Sequence, residues 1–186
     1  MRTKIIIGLG NPGNKYKNTR HNIGFIILER LAEKFDAAFI SEKRFRAETA
    51  AFDAPSSRVI LAKPQTYMNG SGEAARPLKQ FFKIANADIL VVHDEIDLLF
   101  GKLRLSTDSG SAGHKGIESI IANLGQNFSR LRVGIENRGG GRIPDTESYV
   151  LQNFTPEEEK KLSDKIIPEA IAEIEKFLGI KITPTP

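Results

Sequence analysis

Short β-branched runs alternate with stretches of helical period along most of this chain, which narrows the fold to a sheet packed against helices. Lys4 to Leu9 reads as a buried strand ended by glycine and proline. Asn22 to Phe35 sets Ile23, Ile27, Leu31 and Phe35 on one helix face. Arg46 to Phe52 and Arg58 to Ala62 read as strands joined by a turn at Ala54-Pro55-Ser56. Ser71 to Phe82 reads as a helix, and Asp88 to His93 as a buried strand. Lys102 to Ser106 alternates, with Leu103 and Leu105 on the face expected to be buried. His114 to Leu124 and Leu131 to Ile135 follow as helix and strand.

Thr155-Pro156-Glu157-Glu158 marks the start of the last helix: an N-cap threonine, a proline in the first turn, and a glutamate three residues after the cap. Ile167, Ile171, Ile174 and Leu178 form its buried stripe, Pro168 predicts a kink, and Gly179 ends it. Thr183 to Pro186 reads as an unstructured tail. The expected architecture is a single α/β domain over residues 1–186, with a mostly parallel (mixed) twisted sheet flanked by helices on both faces. Sites in such sheets gather at the carboxyl ends of strands. The segments after Leu9, Lys63 and His93, and around Ser106, are therefore where chemistry is expected.

Absent residues narrow that chemistry. Without cysteine there is no thiolate nucleophile, disulfide framework or cysteine-ligated metal centre. No apolar run approaches membrane-spanning length, and no signal-peptide pattern precedes Lys4, so the cytoplasm is the expected location. No G-x-S-x-G elbow is present, and Gly110-Ser111-Ala112-Gly113-His114-Lys115 lacks Walker spacing. Hydrolysis by this chain would use water as the nucleophile. The formal charge of +4 allows a polyanionic partner without requiring one.

Gly8-Leu9-Gly10-Asn11-Pro12-Gly13 fits the G-x-G-x-x-G fingerprint of dinucleotide sites. That fingerprint needs a helix starting at the loop, its amides facing pyrophosphate. Here a polar stretch from Asn14 to Arg20 intervenes, and Glu33, the acid at the right distance, falls on the first helix. The glycines read better as a turn.

Three histidines remain: His21, His93 and His114. A neutral imidazole is the natural base for activating water near pH 7. His21 closes the first loop and is the leading candidate. Asp94 follows a strand end, where its carboxylate could hold the far nitrogen of that imidazole. Asn11 and Asn69 sit in loops after strands, and their amides suit a developing oxyanion. His93-Asp94-Glu95-Ile96-Asp97 also admits a divalent metal site, although alternation sends Asp94 and Glu95 to opposite sides. Lys102 and Arg104, with Arg130, Arg132, Arg138 and Arg142, read either as a phosphate-neutralising face or as solvated charge.

Gly8 to Gly13, Tyr16, Thr19-Arg20-His21-Asn22-Ile23-Gly24, Lys63 to Gly72, His93 to Asp97 and Gly113-His114-Lys115-Gly116 occur in this order. Together they resemble the bacterial peptidyl-tRNA hydrolase family over nearly the whole chain. The resemblance implies cleavage of the ester joining a peptide to the 3′ end of tRNA by a cytoplasmic, metal-free, usually monomeric α/β protein without cofactor. It implies His21 as general base, Asp94 as its support, and Asn11 and Asn69 as amides that position water, carbonyl or transition state. It implies Tyr16, Met68 and His114 as the cleft wall, and Arg104 and Arg132 as basic positions for tRNA phosphate. The rival class is a non-catalytic tRNA-binding protein of the same fold.

Four positions depart from the family pattern. Lys115 replaces an asparagine that helps bind the peptide backbone, and a cation there suits phosphate instead. Ser106 replaces a second basic residue of the phosphate clamp. Leu99 and Glu136 stand where proline and glycine are usual.

Overall fold

A computed structural model describes residues 2–138 and 145–180. Seven strands form one sheet: β1 (Arg2–Gly8), β2 (Ile40–Glu42), β3 (Ala47–Ala54), β4 (Ser57–Pro64), β5 (Ile89–Leu99), β6 (Leu103–Thr107) and β7 (Ser129–Glu136). Their order is β2-β3-β4-β1-β5-β7-β6. The central strands β4, β1, β5 and β7 run parallel, while β3 and β6 are antiparallel to their neighbours. The sheet is thus mixed and mostly parallel, as expected. β2, three residues in the polar stretch Ile40–Glu42, has too short a pattern to read from sequence.

The helices are α1 (Ile23–Lys34), α2 (Ser71–Phe82), α3 (Lys115–Leu124), α4 (Thr146–Val150), α5 (Pro156–Lys161) and α6 (Ile167–Leu178). Alternate residues of the central strands feed two cores. Ile6, Leu90 and Val92 face α1 and α6, whereas Ile5, Ile7 and Val91 pack with Ile117 and Ile120 of α3 and with α2. Both faces are covered, which is why these strands read as continuous apolar runs.

The last helix differs from a simple kinked rod. α5 and α6 are joined by a π-helical turn, Leu162–Ile166, so Pro168 falls in the first turn of α6. A proline in a helix interior costs about 3 kcal/mol or more, but its missing N–H matters little in a first turn. The irregular turn keeps Ile167, Ile171, Ile174 and Leu178 on the core, where each buried aliphatic contributes roughly 1.5–3 kcal/mol.

Two further expectations are corrected. β6 is an edge strand, and Leu105 is 50% exposed with Leu103 only partly covered, because both line an open groove between β6 and α6. β5 runs on to Leu99 instead of ending at His93. Asp94 and Glu95 find partners on other elements, so pairing with β7 continues through them, shifts register beyond Glu95 and resumes at Leu99. The expected tail, Thr183 to Pro186, and Arg142 lie outside the described residues.

The glycine fingerprint does structural work here. A methyl on Gly8 would come 2.5 Å from the Gly24 carbonyl oxygen, and one on Gly24 would come 2.4 Å from that of Val92. These absent side chains let the start of α1 lie directly on β1 and β5. Gly24→Ala is expected to destabilise the protein by about 1–3 kcal/mol through overpacking, measured by denaturant melts. An unchanged midpoint would show that the backbones separate at no cost.

Candidate active site

After β1 the chain forms a loop that returns to the start of α1. Asn22 locks that loop: its Oδ1 accepts from the Asn11 N–H at 2.9 Å, and its Nδ2 donates to the Asn11 carbonyl at 2.9 Å. The loop ends in a single 3-10 turn, Arg20–Asn22, with His21 at its centre. Close packing of α1 on the sheet brings this turn beside β5, where Asp94 points toward α1.

The His21 Nδ1–H donates to the Asp94 carboxylate, 2.9 Å from Oδ1 and 3.0 Å from Oδ2. His21 Nε2 has no protein partner among the described residues, and the ring lines an open cleft of about 350 Å³. His114 is the N-cap of α3 and also reaches Asp94. Its Nδ1 accepts from the Ile117 N–H at 3.3 Å, so its proton sits on Nε2, which donates to Asp94 Oδ1 at 2.9 Å. One buried carboxylate therefore fixes two imidazoles, whose centroids are 5.0 Å apart.

Burial alone would lower the proton affinity of His21, but the Asp94 charge and hydrogen bond outweigh it and raise the pKa above its ordinary value. Burial likewise opposes ionisation of Asp94, yet the two histidines hold its pKa well below the usual carboxylate range. His93 is fully buried, and desolvation pushes its pKa far down, so it remains a neutral packing partner whose ring meets that of His114.

Asn11 Oδ1 accepts from the Met68 N–H at 2.8 Å. That bond orients the carboxamide and leaves Nδ2, with no protein partner among the described residues, as the donor available to a ligand. Asn69 is exposed on the cleft rim, in the turn Met68–Gly70 ahead of α2. Met68 and His114 also line the cleft. Tyr16 is not among its lining residues and lies half-buried in a turn of the preceding loop. The opposite wall includes Val150 and Leu151, at the end of α4. α4 was missed in sequence because five residues are too few for a helical period.

His21, Asp94 and His114 place three ligand atoms within 4.8 Å of one another, the one such grouping among the described residues. The donor set fits protons better than a metal ion. The cap bond to Ile117 keeps a hydrogen on the His114 nitrogen that a metal would need bare. Asp94 and Glu95 do face opposite sides: Glu95 Oε2 accepts from Arg132 Nε at 2.9 Å, on the other side of β5.

The family model for peptidyl-tRNA hydrolase matches residues 5–184. This chain belongs to the peptidyl-tRNA hydrolase family. A peptidyl-tRNA hydrolase of Lactiplantibacillus plantarum is 43% identical over 177 residues, covering 95% of this chain and 93% of the relative. One from Mycobacterium tuberculosis is 44% identical over 155 residues, covering 83% and 80%. The crystal structure of peptidyl-tRNA hydrolase from Acinetobacter baumannii superposes with a TM-score of 0.87 at 36% identity, covering 95% of this chain and 89% of that one. No helix among the described residues is long and apolar enough to cross a membrane.

Within that family frame, the basic face is smaller than the residue count suggests. Arg104 and Arg132 stand opposite each other on β6 and β7. Arg132 is tied to Glu95, while Arg104 is exposed. Arg130 is 2% exposed and donates to the Ser109 and Gly110 carbonyls, so it braces the loop before α3 rather than facing a phosphate. Arg138 is held by Glu136 over the Tyr149 ring. Leu99 and Glu136, the two unusual residues, are direct cross-strand partners, so they form one joint variation at the end of the sheet.

Lys115 lines the cleft mouth and is paired with Glu147 of α4, both side chains exposed. The cation is therefore engaged across the mouth rather than held out alone. Exposed pairs contribute only ~0–1 kcal/mol, so this one opens readily. Lys115→Asn removes the pair with Glu147 and places at the cleft an amide, the residue type that the family resemblance implies for peptide contact. It is expected to lower KM for N-blocked aminoacyl-tRNA severalfold. An unchanged KM would exclude Lys115 as a determinant of peptide binding.

Proposed function

We propose that this chain hydrolyses the ester of peptidyl-tRNA with His21 as the general base, the whole chain acting as one cytoplasmic, monomeric domain. The observation carrying this reading is the His21–Asp94 hydrogen bond at the edge of an open cleft, with Nε2 unpaired. Nε2 takes a proton from water as its oxygen attacks the ester carbonyl. Asp94 stabilises the resulting imidazolium. The Asn11 and Asn69 amides donate to the oxygen that gains charge. The imidazolium then returns its proton to the departing ribose oxygen, freeing tRNA and peptide.

Met68, Val150 and Leu151 provide an apolar wall for the peptide. Arg104, with Arg132, forms the phosphate contact for the acceptor stem. Asn69 and His114 complete the cleft around the reacting ester, and Tyr16 contributes from the neighbouring loop. The test is release of N-blocked amino acid from tRNA by the purified protein, expected at an undiminished rate with chelator present. Salt-sensitive tRNA binding without release would instead establish the non-catalytic reading.

A further inference from the structure

A buried ion pair lies just behind the proposed base. Glu158, in the first turn of α5, and Arg20, the residue before His21, are 4% and 5% exposed. Arg20 Nη2 donates to Glu158 Oε2 at 2.7 Å, and Nη1 donates to the Asn153 carbonyl at 2.5 Å. The guanidinium lies 4.5 Å from the centroid of the Tyr149 ring. Glu158 is otherwise saturated: it accepts from the Thr155 N–H at 2.8 Å and from Asn137 Nδ2 at 2.9 Å.

A fold rarely needs such a pair for stability, because desolvation cancels most of the Coulomb gain and apolar residues of equal volume serve as well. What the pair does provide is a fixed position. The Arg20 N–H donates to the Gln152 carbonyl at 3.0 Å, and Thr19 forms an isolated bridge with Asn153. The turn carrying His21 is thus fastened to the chain between α4 and α5. The ring of Tyr149 carries the same network into α4, and its hydroxyl fixes that helix to β7 by donating to the Ile135 carbonyl at 2.7 Å. Base and cleft wall share one anchor.

We propose that Glu158 is a positioning residue for His21, acting through Arg20 to hold the imidazole on Asp94. This rests on the reading of His21 as the base. Misplacing a reacting group by about 1 Å can cost ~100-fold in rate. Glu158→Gln keeps the volume but removes the charge that holds Arg20. It is expected to lower kcat about tenfold or more, to leave KM within about twofold, and to move the acid limb of the kcat–pH profile downward as the Asp94 contact loosens.

A stability role alone would lower the melting temperature and leave that limb in place. A folded variant with kcat near wild type, or a lowered kcat with an unmoved limb, overturns the proposal. Should Glu158→Gln not fold, Arg20→Lys supplies the same readouts: it keeps the buried charge but loses the two-pronged contact. His21→Ala is assayed in parallel. If it keeps full activity, the base reading has failed; if it is inactive while both anchor variants behave as wild type, only the positioning proposal has.

Discussion

His21→Ala is expected to reduce kcat for N-blocked aminoacyl-tRNA by a factor on the order of 10³, within the range general-base catalysis supplies. The fold should survive. The His21 side chain is 13% exposed, and removing it leaves Asp94 still bonded to His114. The carboxylate is not orphaned, so the large cost of an unpaired buried charge does not arise. Binding should also survive, because the contacts proposed for phosphate and peptide lie elsewhere, on Arg104, Met68 and Leu151. The decisive measurement pairs single-turnover release with tRNA binding on the same sample. Binding intact with release abolished assigns the chemistry to the imidazole. A kcat within a few-fold of wild type would remove His21 from the mechanism.

That His21 should meet Asp94 is legible in the sequence, because both sit where strand ends converge in an α/β sheet. The elements with long periodic patterns were readable too: α2 falls on its expected span, and α1, α3 and β1 lie within two residues of theirs. Patterns that depend on a third dimension were not. Strand β5 looked finished at His93 because charged residues normally end a buried strand. It continues because Asp94 and Glu95 find His21, His114 and Arg132 on other elements.

Asn22 went unnoticed for the same reason. An asparagine before a helix is ordinary, and only the folded loop shows its amide matched to both backbone groups of Asn11. The capping signature at Thr155 marked a helix start correctly. Nothing in sequence connects its glutamate to Arg20, 138 residues away. Arg130 shows the opposite error: a cation on a strand near a proposed phosphate face was counted as surface, and it is buried against backbone carbonyls.

Asp94→Asn is expected to be nearly as damaging as loss of the base, by a different route. Asp94 Oδ1 accepts from both histidines, and Oδ2 also lies 3.0 Å from His21 Nδ1. An asparagine whose oxygen stays at the Oδ1 position still accepts from both histidines, but its NH2 stands where Oδ2 was, 3.0 Å from His21 Nδ1. That half of the contact turns from attraction to donor–donor repulsion, and the charge is lost. Both changes favour the tautomer with its proton on Nε2, the atom that must be bare to accept one from water. Loss of the correct tautomer in an analogous triad costs on the order of 10⁴ in kcat. The pH profile carries an independent signature. With His21 as the proposed base, activity is expected to need its neutral form and to rise with pH through the histidine pKa, which Asp94 holds above the ordinary ~6.5. Without that charge, burial acts unopposed and the limb moves to lower pH, below ~6.5. A low kcat with a downshifted limb and a melting temperature near wild type is the expected combination. A limb that stays in place would mean that Asp94 does not set the charge state of the base, and the group titrating in the profile would have to be sought elsewhere in the cleft.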